Sequence, residues 1–149
     1  MKPNVLFLVH VEDTFRYLFP PLFEQRLIRA RRAKKYDRII CLVSQVECDK
    51  PIDELQFFDP DASSYMEQWN WGWGYSNDNF DTNEQQWLID TSSPHNTTWI
   101  SPEMRKFPWN NYNVFVGGGA EMECLQDFLD VMEHLKVSYK KVRGYIFGD

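Results

Sequence analysis

Cysteine is scarce in this chain: Cys41, Cys48 and Cys124 are the three in 149 residues. An odd number, with no sign of export, does not build a disulfide framework, and reduced thiols are expected. Histidine is equally scarce, at three, and there is no Cys-x-x-Cys, His-Glu-x-x-His or paired Cys/His cluster, so neither a structural metal nor a cofactor is expected. No run approaches the roughly 18 apolar residues of a membrane helix. The apolar run Val5 to Val9 is shorter than the roughly 7–15 residues of a signal-peptide core, and His10, Glu12 and Asp13 follow where small residues would stand at a cleavage site. A cytoplasmic protein is expected, in which the sequon Asn96-Thr97-Thr98 is silent. With 7 Gly and 8 Pro the chain is not low-complexity, and its net charge of −6 argues against nucleic acid as a partner.

What is present is a core. Hydrophobic residues make up 43% of the chain and aromatic ones 16%, enough for one globular domain over residues 1–149. Val5-Leu6-Phe7-Leu8-Val9 and Ile39-Ile40-Cys41-Leu42-Val43 are continuous apolar runs of strand length, the pattern of strands buried on both faces of a parallel sheet. Between them, Pro20 and Pro21 admit a helix start. Phe23, Leu27, Ala30 and Ala33 then recur at helical spacing, predicting an amphipathic helix that ends near Tyr36.

The C-terminal third repeats this plan. Asn113 to Val116 reads as a strand and Gly117-Gly118-Gly119 as a turn. Cys124, Leu125, Phe128, Leu129, Met132 and Leu135 share one helical face closed by Lys136, and Lys140 to Phe147 is a final strand. Two βαβ units predict a three-layer α/β fold with a mostly parallel, Rossmann-like sheet.

Between the units lies an irregular insertion, residues 47–109. From Glu47 to Asp90 it holds eleven acids against one base, Lys50, and it carries the alternating Trp69, Trp71 and Trp73. Gln86 to Asp90 and Thr97 to Ile100 are short strand candidates. Three indoles on one strand face would stack on a ring or cation, or else complete a small core under a long loop. The seven cations from Arg26 to Arg38 are expected to be solvated or to pair with this acidic stretch.

In an open α/β sheet ligands sit beyond the carboxyl ends of the strands, which directs attention to His10, Glu12 and Asp13 after the first strand and to Gly117 through Cys124 after the Val114 strand. If these two strands are parallel neighbours, about 5 Å apart, His10 and Gly118 border one crevice. Glycines opening a helix can turn backbone N–H groups on an anion, although the spacing is neither that of a Walker loop nor that of a dinucleotide fingerprint. Cys124 admits two readings, a nucleophile at a helix start or a small buried hydrophobe. Glu121 and Glu123 beside it would hold back its ionisation.

Gly118-Gly119-Ala120-Glu121-Met122-Glu123-Cys124-Leu125 resembles the strand–turn–helix signature of the isochorismatase-like cysteine hydrolases. The first strand with His10, Val11, Glu12, Asp13, Thr14 and Phe15 is also similar to theirs. The resemblance implies a nucleophilic Cys124, a cis peptide at Gly119–Ala120 and an oxyanion site on the Gly118–Ala120 backbone. It puts His10 where the family has its acid, with Asp13 three positions on, and leaves the family's lysine without a counterpart after Trp99-Ile100.

Three functions are therefore expected in order: a divergent member that binds a small molecule or protein partner and has lost the full catalytic set, with Glu12, Gly117, Gly118, Gly119, Ala120, Trp71 and Trp73 as candidate ligand-binding residues; a cysteine hydrolase of a small amide, with Cys124, Asp13 and His10 as its catalytic residues; and a phosphate or nucleotide binder using Gly117 to Gly119. No membrane partner is expected, and self-association is left open.

Overall fold

The structure, a computed structural model, describes residues 1–11, 17–43, 66–70 and 87–148. The first apolar run forms β1 (Asn4–Val9), the central strand of a five-stranded sheet. Its five apolar side chains are fully buried, Val5, Phe7 and Val9 in one core cluster and Leu6 and Leu8 in another. This is what an unbroken apolar run requires of a strand covered on both faces.

Helix α1 (Phe23–Arg32) buries Phe23, Leu27 and Ala30 on the Leu6/Leu8 side. It stops four residues short of Tyr36. Lys34 takes a left-handed conformation at φ 52°, and the Lys35 N–H returns 3.0 Å to the Ala30 carbonyl, a left-handed helix terminator. Ala33 is therefore exposed, outside the buried stripe expected for it, while Tyr36 is buried edge-on against Phe115.

Strand β2 (Arg38–Val43) pairs parallel to β1, completing the first βαβ unit. Strand β3 (Met66–Asn70), inside the stretch expected to be irregular, pairs parallel to β2. Its residues alternate weakly, and Glu67 looks unlike a sheet residue until Arg38 closes on it with bonds of 2.7 and 2.5 Å. The short strands β4 (Leu88–Asp90) and β5 (Thr97–Trp99) form a separate antiparallel hairpin. Helix α2 (Pro102–Lys106) follows, capped by Ser101, whose hydroxyl accepts from the Met104 N–H at 3.3 Å.

Strand β6 (Asn113–Gly118) pairs parallel to β1 on the side opposite β2. Helix α3 (Cys124–His134) returns over the Phe7 face, and β7 (Lys140–Ile146) pairs parallel to β6. The strand order is β3-β2-β1-β6-β7, with α1 on one face and α3 on the other, a parallel α/β fold.

Phe7 anchors the α3 face, its ring centroid 5.1–5.6 Å from those of Trp69, Phe107, Trp109 and Phe128. Trp69 thus takes the core role rather than offering a stacking face; Trp71 and Trp73 lie outside the described residues. No helix among the described residues is long and apolar enough to cross a membrane.

Candidate functional site

β1 leads to α1 on one face of the sheet and its neighbour β6 leads to α3 on the other, the place where an α/β sheet opens a crevice. Val9 pairs with Gly118 in the parallel register. His10, next along the chain, turns out of the strand at φ 56°, donates its backbone N–H to the Leu42 carbonyl at 3.1 Å, and is 2% exposed.

The strand after the crevice runs further than its sequence suggests. Gly117 and Gly118 belong to β6, not to a turn, and neither lines the cavity described next. Gly118 sits at φ 102°, and a Cβ there would lie 2.1 Å from the Val9 carbonyl oxygen, so this position serves the close approach of β6 to β1. The Gly119 N–H donates to the same Val9 oxygen at 2.9 Å, and the Glu121 N–H to the Phe147 carbonyl at 3.0 Å. These two amides are engaged by the fold rather than turned toward an anion. The Gly119–Ala120 peptide is cis, the isomer that the resemblance implies there.

Beyond this turn lies a cavity of about 260 Å³. Its walls are the Gly119–Ala120 backbone, Glu123 and Cys124 at the start of α3, His10 from the end of β1, Phe147 from beyond β7, Tyr17 and Leu18, and His95. Of the residues anticipated from sequence, the structure therefore brings together His10, Gly119, Ala120 and Cys124. Glu12 and Asp13 lie outside the described residues.

His95 comes from the turn of the β4–β5 hairpin, and the way it is held was not anticipated. The hairpin docks on α3 through two aspartates one helical turn apart. Asp130 accepts from the Ser92 N–H at 2.8 Å and the Ser92 hydroxyl at 3.0 Å. Asp127 is 0% exposed and accepts from the Ser93 hydroxyl on one oxygen, while its other oxygen lies 2.5 Å from His95 Nδ1. The Ser93 hydroxyl oxygen in turn receives the His95 backbone N–H at 3.1 Å, which closes the loop. The sequence signal for this was an acid on an otherwise apolar helical face, between Leu125 and Phe128, where a carboxylate is buried only with partners.

Charge around Cys124 is partly compensated. Glu121 meets Arg143 at 2.7 Å, leaving Glu123 as the glutamate at the cavity edge. Cys124 is buried and forms no disulfide.

No protein-family model, curated protein or solved structure matches this chain.

Proposed function

We propose that the chain is a thiol-dependent hydrolase of a small carbonyl compound, with Cys124 as its nucleophile. The observation that carries this reading is that Cys124, the first residue of an eleven-residue helix, borders a cavity shared with two imidazoles. A helix start carries a partial positive charge, which favours a thiolate there, and neighbouring imidazoles supply proton acceptors.

In the reaction the sulfur would attack the carbonyl carbon, forming a C–S bond as the π pair moves to oxygen. Collapse of that adduct expels the amine or alcohol, which takes up a proton, and water then cleaves the thioester and restores the thiol. A cavity near 260 Å³ falls just below the roughly 300–1,000 Å³ common for ligand pockets, and suits a compact substrate.

The finer fold assignment belongs to this proposal: a divergent, isochorismatase-like variant of a Rossmann-like sheet, supported by β1 lying between β2 and β6 and by the Gly118-to-Cys124 spacing. A second reading, a binding protein without catalysis, is supported by His10 standing where the resemblance has an acid and by the lack of a lysine among the described residues lining the cavity. Turnover of a panel of small activated esters and amides separates the two. Hydrolysis that disappears in Cys124→Ala supports the enzyme, and saturable binding without turnover supports the binding protein.

A further inference from the structure

Resting on the reading of Cys124 as the reacting thiol, we propose that His95 is the base that takes its proton, with Asp127 and Ser93 as the positioning residues that hold the imidazole. The carboxylate of Asp127 accepts from Nδ1–H across 2.5 Å, which selects the tautomer whose lone pair is on Nε2, the nitrogen across the ring. The ring borders the same cavity as Cys124. The step is a proton transfer from Cys124 Sγ to His95 Nε2, leaving thiolate and imidazolium. The imidazolium is then the acid that protonates the departing amine or alcohol, so the protons balance over the cycle.

The arrangement is a positioned one. Asp127 sits one helical turn beyond Cys124 on α3, so a single rigid element carries both the thiol and the group that aims the imidazole. Asp127 is fully buried at the centre of its hydrogen bonds, and the hairpin that delivers His95 is fastened a second time, by Ser92 on Asp130. His95 itself keeps a side-chain exposure of 19%, on the edge of the cavity. Among the described residues, the other titratable groups on this cavity are His10 next to β1, Tyr17 and Glu123 before α3; Asp130 is bonded to Ser92 of the same hairpin, and Glu121 is turned to Arg143. Among the described residues, the ring nitrogen of His95 is held by the buried carboxylate of Asp127.

The test is the pH profile of Cys124 alkylation by iodoacetamide in the folded full chain, read by mass spectrometry of its peptide. An ordinary thiol with pKa near 8.5 is only about 1% thiolate at pH 6.5. The expected result is that the native chain reacts at about pH 6.5 at least tenfold faster than His95→Gln, with the rates converging by about pH 9.5. Asp127→Asn should show the same loss, and the double variant no further loss. Should His95→Gln fail to fold, His95→Ala supplied with free imidazole is the alternative, and restored low-pH reactivity supports the assignment. An unchanged profile in His95→Gln, or a loss seen only in His10→Gln, overturns the role of His95 while leaving the thiol reading in place. A Cys124 that alkylates only after denaturation overturns both.

Discussion

His95 and Asp127, 32 residues apart in the chain, meet at 2.5 Å because a hairpin turn is laid across the buried face of a helix. The pairing places an imidazole on the wall of the cavity that Cys124 borders, and Ser93 occupies the other carboxylate oxygen so that the buried acid is hydrogen-bonded on both sides. That relationship ties the antiparallel hairpin, which looks peripheral in the topology, to the crevice at the carboxyl ends of β1 and β6.

The approach of β6 to β1 at the crevice depends on Gly118. An alanine there would be strained by the left-handed backbone and would drive its Cβ into the Val9 carbonyl. Gly118→Ala is expected to destabilise the protein by about 3 kcal/mol or more, measured by urea denaturation. A loss below about 1 kcal/mol would contradict the described register.

Tyr36 gives an alkaline limb to stability. Its ring is buried, its hydroxyl is buried without a hydrogen-bond partner, and burial pushes its pKa up from 10 to about 12, with Tyr145 adding to the effect. The folded state therefore keeps a proton that the unfolded chain has lost. The contribution is complete below about pH 10 and falls away as pH rises toward 12. Tyr36→Phe is expected to raise stability at neutral pH by about 1 kcal/mol and to flatten the decline above pH 10. Denaturation curves across that range decide it, and a less stable phenylalanine variant would refute the prediction.

Arg38 should matter more than its ion-pair partner. Glu67 accepts from Nε and Nη2 along one edge of its guanidinium, but the two side chains are 33% and 41% exposed, so the charge pair itself contributes under about 1 kcal/mol. The guanidinium also lies 5.2 Å from the Phe107 ring centroid and donates to the Tyr112 hydroxyl at 3.1 Å. Arg38→Ala is expected to cost about 1–2 kcal/mol and Glu67→Ala about half of that in the same denaturation assay, with equal losses counting against the stacking role.

The elements that the residues announced are those with dense, regular apolar patterns. Val5 to Val9 and Ile39 to Val43 must be covered on both faces wherever they fall, and the stripe from Cys124 to Met132 can only be one side of a helix. The parallel pairing of β1 with β6, and with it the shared crevice of His10 and the Gly119–Ala120 turn, is a condition that the residues leave open and the sheet order meets. β3 was hidden because its stabilisation comes from outside it, through Arg38 on Glu67 and the packing of Trp69 on Phe7. The end of α1 moved because Lys34 adopts a left-handed conformation that its residue type does not favour. The pairing of His95 with Asp127 was illegible for a related reason: Asp127 stands out only as an acid on an apolar helical face and His95 not at all, and their meaning is a contact between a loop and a helix that spacing does not encode.

The most direct test of the account is acyl transfer to the thiol. The folded chain is incubated with a small activated ester, quenched in acid, and digested for peptide mass spectrometry. The account predicts an acyl adduct on the peptide containing Cys124, formed at neutral pH and absent in Cys124→Ala. An adduct confined to Cys41 or Cys48, or none on the native chain while the denatured chain is acylated at Cys124, would contradict it.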